Sequence, residues 1–516
     1  MAGWFSSGKI DHPLAEPKDS RKTISELPQD AFKALGEVAY WLESVHATDG
    51  FDVERRFELI DEFDQYARPR LRKLAQDYLQ VRQQKFQENR LWVAQSDFWR
   101  LAGAGYVQCA EAIQADAPGA GALRSRVPVI VARALRALGQ QLKWSMLRYG
   151  PADATAWASI GRMYAYAQSK GFADKAVALY DAGAGESSAR HEFLRIVMLS
   201  VASVDSMTPE QVEIAERSVA LFARHFLLED SPEAGCTHVF DIAGDKPPTR
   251  PHGASMEASM RYFGAGPALE EIDRLRRILV AEGALPSDVN LGGEYDPKSV
   301  AEVWRHLLQY WALSPPERGS DRQPVNVALT VVRGLANIIA SLEPAMSNSL
   351  DFGPEGSRAD AESWTAVNVS DGGYGAIIPG STKSDTLQIG SLLGLKAEGE
   401  RYWSVGVVRR LTRDADLSRH VGIELLTRAA LAMRVAPTGA ISAANAVRDD
   451  EPAVLLTRHP DGDRQIRILM RAGCYTQEQQ LELRVRGQVY RVRPVRILEN
   501  AIEFDHGEFS VRERKS

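Results

Sequence analysis

The sequence predicts a multidomain α + β protein: an N-terminal all-α domain, then a small β-barrel, then a second small β-unit. Patterning, punctuation and length carry this reading. Residues 23–312 place apolar side chains at three- and four-residue spacing, and strand-like runs gather after residue 323. Pro- and Gly-rich stretches separate these blocks, and 516 residues are too many for one core.

Taken in order, residues 1–22 carry little periodicity and read as a disordered tail, in which Trp4 and Phe5 are the conspicuous apolar groups. The helical block follows, with Leu59, Phe63, Tyr66 and Leu71 on one face near its start and Ile272, Leu275, Ile278 and Leu279 near its end. Helix starts are signalled by Thr23-Ile-Ser-Glu26, Thr208-Pro209-Glu210 and Asp296-Pro297. Within the block, Trp157-Ala-Ser-Ile160-Gly161-Arg-Met-Tyr164, followed by Ala173 and Val177, resembles the opening of a tetratricopeptide repeat (TPR). That resemblance implies a TPR-like pair of helices approaching closely at Gly161. A shift of 34 residues recovers little beyond Leu194, so one hairpin is expected rather than an array. The stretch from His238 to Gly266, with its Asp245-Lys-Pro-Pro, breaks the helical pattern and reads as a connector.

The β part is expected at 313–435, entered through the linker Leu313–Arg322. Pro324–Arg333, Trp364–Val369, Tyr374–Ile378, Tyr402–Val408 and Val421–Leu426 are β-branched or aromatic runs bounded by Gly, Pro or polar residues. Ser341 to Ala361 is polar and rich in Gly, Pro and Ser, and reads as an inserted loop. Residues 436–452 read as a linker and 453–516 as the second small β domain. In that domain, alternation sets Arg484, Arg486, Arg491, Arg493 and Arg496 on one face. Nearby Glu and Asp make this a solvated sheet face in preference to a nucleic-acid surface.

Two short motifs carry the functional signal. Arg318-Gly-Ser-Asp-Arg322 puts two guanidinium forks on a Pro-preceded linker, and such forks match phosphate oxygens bidentately and stack on purines. Asn368-Val-Ser-Asp-Gly-Gly373 supplies a donor and acceptor at Asn368 and a hydroxyl at Ser370. Gly372 and Gly373 are expected to take the positive φ that lets backbone approach a ligand.

This layout resembles the PilZ family, small β-barrels that bind cyclic di-GMP through an Arg-x-x-x-Arg segment and an Asp/Asn-x-Ser-x-x-Gly turn. The resemblance implies that Arg318 and Arg322 bind the phosphates and guanine of cyclic di-GMP, with Asn368, Ser370 and Gly373 forming the second half of the site. It implies a non-enzymatic cyclic di-GMP effector that passes nucleotide binding to a protein partner through the helical domain. The alternative is an interaction scaffold whose degenerate PilZ-like barrel binds no nucleotide.

Other classes lack their residues. A net charge of −6 argues against a dedicated nucleic-acid binder. Cys109, Cys236 and Cys474 are isolated, and the ten histidines form no metal-binding spacing, so no metal, cofactor or disulfide framework is expected. Gly375-Ala-Ile-Ile-Pro-Gly380 lacks the lysine of a phosphate loop, no nucleophile elbow occurs, and no catalytic residue is assigned. Without a signal-like segment or a long apolar run, the chain is expected to be cytoplasmic and not inserted in a membrane.

Overall fold

The computed structural model describes residues 10–81, 84–180, 185–251, 257–314, 321–343, 361–379, 387–416, 418–438, 450–457, 465–485 and 487–515. Its chain divides into two compact units, Met1–Glu317 and Arg318–Ser516.

The first unit is mainly helical. Its helices are α1 (Pro17–Glu26), α2 (Ala31–Ala47), α3 (Val53–Gln80), α4 (Lys85–Gln114), the single turn α5 (Ala120–Leu123), α6 (Val127–Met146), α7 (Ala154–Ser169), α8 (Ala189–Ser200), α9 (Pro209–Phe222), α10 (Ala268–Glu282) and α11 (Pro297–Tyr310). Several begin where a short polar side chain satisfies the free amides of the first turn: Asp30, Asp52, Asp153, Ser188 and Asp296 each accept from the backbone three residues on. Thr208 and Gln211 form a reciprocal capping box.

The tail expectation needs correcting, because α1 starts at Pro17 rather than near Thr23. Leu14 and Ser20 are fully buried, and Arg55 fastens both by donating to the Leu14 carbonyl at 3.1 Å and the Ser20 hydroxyl at 3.0 Å. A distant buried arginine anchors this segment, and local patterning could not show that.

Two small β elements interrupt the helices. Strands β1 (Val177–Ala178) and β2 (Glu186–Ser187) form a short ribbon; β3 (Leu227–Glu229), β4 (His238–Asp241) and β5 (Met260–Gly264) form a sheet with β5 in the centre. The expected connector at 238–266 therefore contains two strands, and its Phe240 and Phe263 are core residues. This sheet also changes the role of Gly161. A Cβ there would lie 2.3 Å from the Ile242 carbonyl oxygen, so Gly161 admits the backbone that follows β4, not a second helix. Trp157 packs on Phe240 at 5.5 Å between ring centres, and Tyr164 stacks on Phe193 of α8 at 4.1 Å.

The second unit contains two closed six-stranded barrels. The first comprises β6 (Gln323–Arg333), β7 (Glu362–Ser370), β8 (Gly373–Ile378), β9 (Leu392–Ala397), β10 (Ser404–Arg413) and β11 (Arg419–Thr427). The second comprises β12 (Leu431–Pro437), β13 (Glu451–Leu455), β14 (Gln465–Arg471), β15 (Leu481–Val485), β16 (Gln488–Asn500) and β17 (Phe504–Lys515). Numbered from its own first strand, each barrel closes in the cyclic order 1-2-3-6-5-4, so the two share one topology. Closure leaves no sheet edge to template aggregation.

The boundary between the barrels lies earlier than residues 436–452. Only three residues separate the end of β11 from the start of β12, which pairs with β13 and β15. Residues 439–449 of the expected linker lie outside the described residues. A short helix, α12 (Leu335–Leu342), follows β6, and its Ile338 and Ile339 join Val332 and Leu392 of the first barrel and Val454, Leu469 and Phe504 of the second in one core. Most of the expected inserted loop, residues 344–360, also lies outside the described residues. Arg409 on β10 clamps Glu499 on β16 through two bonds of 2.8 and 2.7 Å, a bidentate pair joining the barrels.

Candidate ligand-binding site

The Asn-x-Ser-x-x-Gly segment forms the β7–β8 hairpin. Ser370 pairs with Gly373, and Asp371-Gly372 makes the turn between them. Neither glycine has the positive φ expected from sequence. Gly373 meets a different constraint: a Cβ there would sit 2.0 Å from the Ile423 carbonyl oxygen of β11. The hairpin is tied to β11 again where the Leu425 amide donates to the Gly372 carbonyl at 2.9 Å.

Arg428, which the sequence reading did not single out, closes the turn. Its guanidinium donates to the Ser370 carbonyl at 2.7 Å and the Asp371 carbonyl at 3.3 Å. No motif announces this residue, because the contact spans 58 positions and exists only once the barrel closes.

Asn368 pairs with Pro324 of β6 on one side and Gly375 of β8 on the other. Its amide lies across Gly375, where a Cβ would approach both amide atoms to 2.5 Å. The Asn368 Oδ1 is buried without a hydrogen-bond partner among the described residues. Such an acceptor carries a desolvation cost that a ligand donor relieves. Gly375 pairs in turn with Gly422, and Gly422 with Arg410, whose Cβ is 3.1 Å from the position a Cβ of Gly422 would occupy. Pro324, Asn368, Gly375, Gly422 and Arg410 thus form one row across five strands. The two adjacent glycines in its middle make room for the Asn368 amide on one side and the Arg410 side chain on the other.

Arg322 reaches this site by register. Gln323 pairs with Val369, and one further antiparallel step brings exposed Arg322 level with Ser370. Arg318 lies outside the described residues. The structure therefore brings Arg322, Asn368, Ser370 and Gly373 to one end of the β6–β7–β8 sheet. Arg410, Gly375, Gly422 and Arg428 are the neighbours that sequence reasoning missed.

Among the described residues no group of three or more His, Cys, Asp or Glu could hold a metal ion. No helix among them is long and apolar enough to cross a membrane.

Residues 18–233 match the family described as the N-terminal domain of the cyclic-di-GMP receptor FimW, and residues 351–431 match the middle PilZ domain of that receptor. Together the matches span more than half of the chain. The second match contains the hairpin, Gly375, Gly422, Arg410 and Arg428, and begins after β6 and Arg322. A search of curated proteins found no match.

Proposed function

Because this chain belongs to the family of PilZ-domain cyclic di-GMP receptors, we propose that its first barrel binds cyclic di-GMP through Arg318, Arg322, Asn368, Ser370 and Gly373, and that it works as a non-enzymatic effector in the cytoplasm. The observation that carries this is the convergence of Arg322 with the Asn368–Gly373 hairpin at one end of the sheet. Guanidinium forks answer the two phosphates, and the Asn368 amide answers a guanine edge or ribose hydroxyl. Gly375 and Gly422 leave room for the Asn368 amide and the Arg410 side chain to lie against the sheet, where both can meet a flat base.

Arg318 begins the second compact unit, directly after the helical unit ends at Glu317. Nucleotide held by Arg318 and Arg322 therefore acts on the segment joining them, and we assign the helical unit the role of engaging a protein partner. Ligand shifts such an equilibrium only by its differential affinity for the two states. Calorimetric titration of the full chain with cyclic di-GMP, against GMP and GTP controls, tests the binding claim. Saturable binding of the dinucleotide with none of either control is expected. No heat from any of the three would favour an interaction scaffold with a ligand-free barrel.

A further inference from the structure

The helical unit holds a second concentration of positive charge, independent of the barrel site. A cavity of about 120 Å³ among α3, α4, α6, α8 and α9 is lined by Arg68, Arg72, Arg136, Lys143, Arg195 and Arg217. Three glutamates answer part of that charge. Glu192 accepts from Arg136 at 2.5 and 2.7 Å and lies 3.5 Å from Arg195. Glu216 accepts from Arg195 at 2.8 Å and lies 3.6 Å from Lys143, while Glu213 pairs with Lys143 and accepts from Arg217 at 2.9 Å. Each carboxylate is thus already shared between two or more cations.

Arg68 and Arg72 are outside this exchange. Among the described residues no carboxylate lies within 4.0 Å of either. The Arg68 guanidinium lies 3.1 Å over the Tyr180 ring, and Arg72, one turn further along α3, is exposed. Six cations against three carboxylates leave a surplus of three. Counting Asp64 as ionised still leaves two, and burial pushes that carboxyl up toward its neutral form. Burial also pushes Arg68 down; the fields of Arg136 and Arg72 add to this, against those of Tyr180 and Asp64.

Uncompensated like charges at the wall of a cavity are costly unless an anion enters. Leu71, Trp99 and Trp144 also line the cavity and suit the organic part of a ligand. We propose that this cavity binds the phosphoryl group of a small phosphorylated ligand, with Arg68 and Arg72 donating to it at the mouth. Arg136 and Arg195, held by Glu192 and Glu216, complete a preorganised cationic floor. A phosphate dianion fits the surplus better than a single carboxylate, and its oxygens accept several forks at once.

Thermal unfolding of the full chain in millimolar pyrophosphate, against chloride at matched ionic strength, tests this. The wild type and Arg322→Ala should both gain about 2 °C or more. Arg72→Gln, which breaks no ion pair, should gain at most half as much, and Arg68→Gln/Arg72→Gln should gain nothing. If the double variant does not fold, Arg72→Gln alone decides. The proposal is overturned by no gain in the wild type or by an undiminished gain in Arg72→Gln. It is equally overturned if the gain disappears in Arg322→Ala and persists in the α3 variants, which would place the phosphate on the barrel.

Discussion

At Gly373 a side chain is excluded by a neighbouring strand and not by backbone conformation, which separates two substitutions in one hairpin. Ser370→Ala removes a hydroxyl that makes no hydrogen bond among the described residues, so cyclic di-GMP affinity should fall several-fold while the melting temperature stays within about 1 °C. Gly373→Val puts atoms where the Ile423 carbonyl already lies, 2.0 Å from a Cβ, and should lower both affinity and melting temperature. Parallel titration and thermal melts check this, and a Ser370→Ala protein that melts early would make the hydroxyl structural. The motif residues were legible because they are contiguous and chemically conspicuous. Arg428 and Arg410 were not, since each joins the site only through strand pairing across the barrel.

Among the elements, α6, α8 and α9 meet at buried ion pairs whose strength depends on pH. Burial alone would raise the Glu192 carboxyl, but the charges of Arg136 and Arg195 overcome it and hold the group at about 2. A carboxyl depressed in the folded state contributes stability that is complete above its unfolded value and is lost as pH falls toward the folded one. Wild type should therefore lose stability between about pH 4.5 and pH 2, and Glu192→Gln should flatten that part of the profile. Denaturant melts across this range read the difference; identical profiles would show that the pair adds nothing. Helix starts at Thr208 and Asp296 were readable because their caps are local. The β3–β5–β4 sheet was not, because its strands are only three to five residues long and β3 is separated from β5 by β4 in sequence. The same sheet gives Gly161 its function, so a correctly noticed glycine suggested the wrong partner.

For the whole molecule, the order of a helical unit before β-barrels was legible from the change of hydrophobic period near residue 323. The identity of topology between the two barrels was not, because the second replaces the Asn-x-Ser-x-x-Gly turn with the longer β13–β14 connection from Leu456 to Arg464. A fragment of residues 318–516 contains both closed barrels and the core around α12, and should fold and bind cyclic di-GMP. Residues 1–317 should fold as a helical unit and bind none. Circular dichroism and titration of the fragments check both halves, and a folded barrel fragment that binds only with the helical unit attached would contradict a self-contained sensor.

The central claim, that Arg322 and the β7–β8 hairpin hold cyclic di-GMP, is tested most directly by calorimetric titration of the full chain carrying Arg322→Ala beside Arg413→Ala. Loss of a charge-assisted phosphate contact should weaken binding by roughly tenfold or more in the first protein, about 1.5–3 kcal/mol, and leave the second near wild type. Equal affinities in the two variants would contradict the assignment.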